Sequence, residues 1–262
     1  MKYAIVGGWG YLGVNLVDLL NSCIITRRSS AKRRPFLKKY FEDKEVYFVD
    51  DIGEIGGALE DCGADVLVYA VGKLKGSEEE MREAHVTKAL EALKAAKELG
   101  LKYVYISSVA AMGIAERCSK NLIISEEEEH LKGCEPAGPY SKTKMEGERA
   151  LLKEDPSIGI VRPALIWGDK YYHIEQKLLR IAKKYRIPWF NVSVSTIPCI
   201  ARGIEESLRG GWYLTVDTDL KGVGIRALDW RPSYSLIKKV PGDLKMMLSS
   251  FRYRYRSRNL KC

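Results

Sequence analysis

Tyr140-Ser141-Lys142-Thr143-Lys144 places a phenol and an ammonium four residues apart, immediately after Gly138-Pro139. On a helix these two side chains share a face. A neighbouring cation lowers a phenol's pKa from about 10 towards working pH, which suits general acid/base chemistry. The string is cheap by itself, because Tyr40/Lys44, Tyr69/Lys73 and Tyr234/Lys238 repeat it. Context separates them. Only Tyr140 opens a predicted helix downstream of a strand ending in Ser107-Ser108, whose hydroxyl can bond the same substrate oxygen.

A second chemical signal is Gly7-Gly8-Trp9-Gly10-Tyr11-Leu12-Gly13, which no other stretch repeats. It follows the first predicted strand and opens a helix. A turn without side chains lets backbone N–H groups meet a pyrophosphate, so the segment Gly7, Trp9, Gly10, Tyr11, Leu12 and Gly13 reads as dinucleotide-binding. NAD sites place an acid roughly 20 residues past the first glycine, on the ribose 2′-hydroxyl. Here no acid lies between Asp18 and Glu42, and the second strand ends at Thr26-Arg27-Arg28-Ser29. A guanidinium binds a 2′-phosphate where a carboxylate repels it. Arg27 and Arg28 therefore predict NADP(H) in preference to NAD(H), with a solvated basic loop as the plainer alternative, since Lys32, Arg33 and Arg34 follow.

The elements that must position these groups alternate in type. Apolar strand segments fall at 3–6, 23–26, 46–49, 66–71, 103–106 and 158–161, continuous in hydrophobicity as strands buried on both faces are. Helical patterns lie between them near 11–20, 53–61, 78–99 and 140–153. In the longest, Val86, Leu90, Leu93 and Leu99 recur at helical spacing. This rhythm predicts an α/β protein: a Rossmann-type doubly wound parallel sheet with helices on both faces. After Pro163 the rhythm loosens into helices near 174–186 and 198–209 and strands near 190–194 and 212–216. The expected organisation is a dinucleotide-binding domain over 1–165 and a small C-terminal substrate lobe over 166–262.

The strings GGWGYLG, VDDI, LVYAVG, YVYISSVAAMG, GPYSKTKMEGE and IVRPALIWG occur in this order over about residues 1–170. Together they resemble the short-chain dehydrogenase/reductase superfamily, in its extended or atypical, epimerase/dehydratase-like branch. The resemblance implies that Ser108, Tyr140 and Lys144 are the catalytic serine, the acid/base and the ribose-binding lysine. It implies that Asp51 and Ile52 contact adenine, that Ala70, Val71 and Gly72 line the cofactor, and that Pro163 sits near the nicotinamide. TIPCIARGIEESLRGGWYLTV is similar to the segment that returns to the cofactor domain in that branch. Two departures matter: Val109 and Ala110 replace the acids of the dehydratases, and His85 stands where the branch usually has Asn.

The formal charge of +9 sits mostly at the end of the chain. Residues 231–262 hold nine Lys and Arg against Asp243, leaving the rest nearly neutral. In that tail Phe251-Arg252-Tyr253-Arg254-Tyr255-Arg256 alternates ring and cation. It reads as an edge segment packing its rings on the body, or as a contact for an anionic membrane or an acidic partner, with nucleic acid the weakest option. The acidic run 126–129 reads as a solvated face. The six cysteines show no metal spacing with the three histidines and read as free buried thiols, with a Cys118–Cys134 bridge open. A single Gln and five Asn beside abundant Lys, Arg and Glu lean towards a thermophile. No apolar stretch reaches the ~20 residues that span a bilayer, and the expected address is the cytoplasm, with peripheral membrane attachment open. Oligomeric state is equally open, a homodimer included.

Two functional readings follow. One is an NADP(H)-dependent oxidoreductase acting on a small-molecule substrate, with a sugar-nucleotide epimerase as a variant. The other is a non-catalytic NADPH-binding subunit, because the short second lobe and basic end resemble the nucleotide-binding accessory subunit of respiratory complex I.

Overall fold

Seven parallel strands form the centre of the computed structural model, which describes residues 1–113, 123–126, 135–170 and 174–262. The chain runs β1 (Tyr3–Val6), α1 (Tyr11–Leu16), β2 (Ser22–Arg27), α2 (Arg28–Arg33), β3 (Val46–Val49), α3 (Gly56–Cys62), β4 (Val66–Tyr69), α4 (Glu78–Arg82), α5 (Lys88–Glu98) and β5 (Lys102–Ile106). It continues through β6 (Ile123–Ile124), α6 (Pro139–Glu154), β7 (Gly159–Arg162), β8 (Leu165–Trp167), α7 (Ile174–Tyr185), β9 (Trp189–Phe190), β10 (Ser193–Thr196), α8 (Ile197–Glu206) and β11 (Gly211–Leu214). The last elements are β12 (Thr218–Asp219), β13 (Ala227–Leu228), α9 (Tyr234–Lys239), α10 (Gly242–Arg252) and β14 (Arg254–Tyr255).

Sheet order is β3-β2-β1-β4-β5-β7-β11, so the winding reverses between β1 and β4. This is the doubly wound arrangement expected from the sequence, and its crevice opens at the carboxyl ends of the strands. Alternate strand residues feed two cores. Ala4, Val6, Ile25, Leu67 and Tyr69 pack under α3, α5 and α6. Ile5, Ile24, Val68, Val104 and Val161 pack under α1, the Leu37–Phe41 turn and α8. β1, β4 and β7 are buried along their whole length, which is why β1 and β4 are unbroken apolar runs and β7 is one up to Arg162, whose charge is met by Glu148. Residues beyond the seven-stranded sheet build a third core around Val194, Leu220, Ile237 and Phe251, framed by the small sheet β12-β10-β8 and the pair β13-β9.

Several expectations are corrected. The helix read over 78–99 is interrupted by a π-helical turn at Glu83–Thr87. Its buried face is Met81, His85, Ala89, Ala92, Leu93 and Ala96; of the predicted stripe only Leu93 is fully buried. Four cysteines are paired rather than free, as Cys23–Cys62 between β2 and α3 and Cys199–Cys262 between α8 and the C-terminus. Cys118 and Cys134 lie outside the described residues. Glu126 is 4% exposed; it accepts from Leu214 N at 3.1 Å, from Arg258 N at 2.7 Å and from the Ser257 hydroxyl. An acid read as solvated is thus a buried anchor for the chain end, whose backbone donors offset its desolvation. Phe251 and Tyr253 are buried, as the edge-segment reading expected. Their neighbours do not all face water: Arg254 bonds the Phe251 and Tyr253 carbonyls and pairs with Asp229.

Candidate active site

Gly7 ends β1 at φ +86°, a backbone region that excludes most side chains. A Cβ there would also meet Val71 N at 3.0 Å, so the glycine permits the β1 and β4 loops to close on each other. Gly13 packs directly on the Gly8 backbone, which brings α1 against the turn. Gly10 donates to Gly7 O at 2.9 Å and caps α1 without a side chain, leaving the turn lined by backbone. The side chains of this segment are engaged by the protein itself. The Trp9 indole is buried, stacks on Phe41 at 4.4 Å and donates to Arg34 O at 3.0 Å. The Tyr11 hydroxyl accepts from Gly168 N at 2.9 Å, and Leu12 is in the core. Any contact these three make to a cofactor therefore falls to their backbone or to an edge of the Tyr11 ring.

Around the turn, the carboxyl ends of neighbouring strands bring the remaining candidates together. Arg27 and Arg28 leave β2 as exposed residues, and Arg28 makes a solvent-exposed pair with Asp50 at 3.5 Å. Asp51 follows β3. Its carboxylate caps a short turn through Gly53 N at 2.7 Å and takes the Lys88 ammonium at 2.6 Å, and these bonds hold its pKa below the usual carboxylate range. Ile52 is buried beside it. Ala70, Val71 and Gly72 run off β4 across from Gly7, with Ala70 N bonded to Val6 O at 2.9 Å. Pro163 leaves β7 and accepts from Val109 N at 3.0 Å.

Ser108 ends β5, and its hydroxyl accepts from Ala110 N at 3.1 Å, fixing the turn that follows. The same side chain neighbours the Tyr140 phenol, which stands in the first turn of α6, and lowers its pKa. One turn on, Lys144 is 2% exposed, donates to Ile106 O at 2.8 Å and lies over the Tyr105 ring at 4.7 Å. The expectation that the phenol is brought towards neutral pH is not met by the chain alone. Burial pushes Tyr140 up to about 12, with the neighbouring Ser108 side chain pulling only partly back. Burial also pulls Lys144 down to about 7, opposed by Glu148. Both groups favour their neutral forms because each is desolvated with little compensating charge.

Residues that the sequence reading passed over complete the surroundings. Glu148 forms a buried bidentate pair with Arg162, its Oε1 at 2.9 Å from Arg162 Nε. Its place four residues after Lys144 and eight after Tyr140, along one helix face, was the available signal. Lys88 had no such signal, because its partner Asp51 belongs to another element. His85, by contrast, was singled out in the sequence; it is fully buried, and Nε2 accepts from Lys73 N at 3.0 Å, so Nδ1 carries the proton towards Thr143 Oγ1 at 2.9 Å. Burial takes its pKa down to about 2 and keeps it neutral.

The fold is thus Rossmann-type, with a glycine turn after β1 and with Tyr140 and Lys144 on α6 near the Ser108 turn that follows β5. Residues 3–184 match the NAD dependent epimerase/dehydratase family, and the chain belongs to that family. A ceramide reductase from Caulobacter vibrioides is 30% identical over 171 residues, covering 63% of this chain and 46% of that protein. The match therefore spans less than half of that relative's length. Among solved structures, dTDP-4-dehydrorhamnose reductase from Bacillus anthracis, in complex with NADP, is 17% identical with a TM-score of 0.61 over 87% of this chain and 82% of its own. UDP-glucose 4-epimerase from Thermotoga maritima, with UDP-glucose, is 13% identical with a TM-score of 0.64 over 98% and 86%. At these identities the likeness is one of fold.

Proposed function

We propose that this chain is an NADP(H)-dependent oxidoreductase that interconverts a carbonyl and an alcohol, working in the reductive direction. The observation that carries the reading is the Tyr140 phenol beside Ser108, which follows β5, with Lys144 buried one turn along α6 and bonded to Ile106 O at the end of β5. The glycine turn fits a dinucleotide, since Gly7 and Gly13 leave no room for side chains where backbone must approach a pyrophosphate. Gly7 to Gly13, Ala70 to Gly72, Asp51, Ile52 and Pro163 would hold the cofactor, and Arg27 and Arg28 would take the 2′-phosphate. Bound there, the nicotinamide supplies or accepts hydride.

Tyr140 gives its phenolic proton to the substrate oxygen, and Ser108 holds that oxygen in line. The raised phenol pKa suits a donor that is protonated in the resting site. Lys144, kept near its titration point, would hold the cofactor's ribose and answer the charge that develops on Tyr140. Reduction and a lipid-derived carbonyl are favoured by the likeness to a ceramide reductase. Dehydration is disfavoured because Val109 and Ala110 put no acid after Ser108. A purely cofactor-binding role leaves the Ser108–Tyr140–Lys144 cluster without a use.

The test is NADPH and NADH oxidation by the purified chain against long-chain and short carbonyl compounds. Turnover with NADPH is expected, and Arg27→Ala/Arg28→Ala should weaken NADPH binding by about tenfold or more while sparing NADH. Equal loss for both nucleotides would contradict the role given to the arginines. Tight NADPH binding with no oxidation of any carbonyl would favour the non-catalytic reading.

A further inference from the structure

The smaller lobe carries a surface that the cleft does not use. On α7, Leu179 and Ala182 face the core while Leu178, Ile181 and Tyr185 form a stripe on the outside. The stripe runs straight into Arg186-Ile187-Pro188-Trp189-Phe190, and every residue from Lys183 to Phe190 is exposed. Tyr185, Ile187, Trp189 and Phe190 are 64%, 46%, 37% and 40% exposed. Such runs of large apolar side chains are buried in most soluble surfaces. The segment is also held in place. Arg186 takes φ +53°, the single non-glycine residue with positive φ among the described residues, and Ile187 N closes the helix on Ala182 O at 2.9 Å. That left-handed position normally belongs to glycine. Pairing of β9 with β13 sets Leu228 beside Phe190, and Trp230 packs on Phe190 at 4.9 Å, extending the patch.

Cations border this patch. Lys183, Lys184 and Arg186 interrupt the apolar run, and no carboxylate among the described residues pairs with them. Asp229, the acid nearest the aromatic end, is already held by Lys221 and Arg254. The bias extends to the whole C-terminal part: residues 174–262 hold 18 Lys and Arg against 7 Asp and Glu, while residues 1–173 hold 25 against 27. A two-fold contact between copies would set these unpaired cations against one another. A surface with phosphate and carboxylate groups above an apolar layer answers both halves of the patch: tryptophan and tyrosine settle at the boundary and lysine and arginine bond the headgroups.

We propose that this face, centred on residues 185–190, docks the protein on an anionic lipid bilayer. The test is flotation of the full chain with phosphatidylcholine vesicles and with vesicles containing phosphatidylserine, across a range of salt. Binding should rise by about tenfold or more with phosphatidylserine and fall with salt. Lys183→Glu/Lys184→Glu/Arg186→Glu, three changes at exposed positions, should remove that gain. Ile187→Ser/Trp189→Ser should abolish binding to both vesicle types, with thermal melting confirming that each variant is folded. Failure of the wild-type chain to float with anionic vesicles, or flotation of the charge-reversed variant at the wild-type level, overturns the proposal. So does light scattering that shows a dimer which the Ile187→Ser/Trp189→Ser variant splits, since the face would then belong to a second copy.

Discussion

Lys144 is a lysine that its surroundings leave only half-charged near neutrality, its pKa pulled from 10.5 to about 7 by burial. In the unfolded chain the same lysine stays protonated until about pH 10.4. Between these values the unfolded state binds more protons, so this residue makes the cofactor-free protein more stable as pH rises from about 7 to about 10. Tyr140, raised to about 12, works in the opposite sense above its unfolded value of 10.0, where the folded state holds the proton longer and stability falls. Melting temperature against pH should show both limbs, and Lys144→Met should flatten the rising one; an unchanged profile would mean that Lys144 is charged when buried. The types and spacing of Ser108, Tyr140 and Lys144 were legible in the sequence. The direction of their shifts was not, because desolvation depends on what covers a group and no local pattern records that.

At the scale of elements, three buried tyrosines explain how a π-helical turn survives between α4 and α5. Such a turn disturbs the regular backbone ladder. Tyr69 donates to Ala84 O at 2.7 Å, Tyr105 to His85 O at 3.0 Å and Tyr103 to Ala89 O at 2.9 Å. Gly147 of α6 lies against the His85 carbonyl and the Tyr105 hydroxyl, with no space for a Cβ. Tyr105→Phe leaves the His85 carbonyl without that donor and should cost about 1–3 kcal/mol. Gly147→Ala should cost a similar amount by overpacking, about 1–3 kcal/mol. Denaturant unfolding of each variant measures both, and a loss under about 0.5 kcal/mol for each would show that the carbonyls need no tyrosine. Strand positions were legible because β1 and β4 are buried on both faces and read as unbroken apolar runs. The π turn was invisible because one extra residue per turn hardly alters a helical pattern, and because the α5 core face is built from alanines.

For the whole molecule, the basic chain end proves to be part of the body. Phe251 and Leu248 belong to the third core, Glu126 holds the backbone at Arg258, and Cys262 is bonded to Cys199. The bridge closes a separation of 63 residues, and chain-entropy reasoning gives it about 4 kcal/mol. Cys262→Ser should lower the unfolding free energy by up to that amount under non-reducing conditions, and added reductant should then make little further difference at this bridge. An unchanged midpoint would show that the end is held by packing alone. Composition separated the charge of the chain end from that of the body. Its contacts run to α8, β6 and Asp229, distant in sequence, so no spacing announced them.

The central claim is that Tyr140 moves the proton while the rest of the site holds the cofactor. Tyr140→Phe removes one oxygen and keeps the ring, so the most direct measurement compares NADPH affinity with the rate of carbonyl reduction in this variant and the wild type. The account predicts NADPH binding within about threefold of wild type and a kcat lower by about a hundredfold or more. A variant that reduces its carbonyl at the wild-type rate would contradict it.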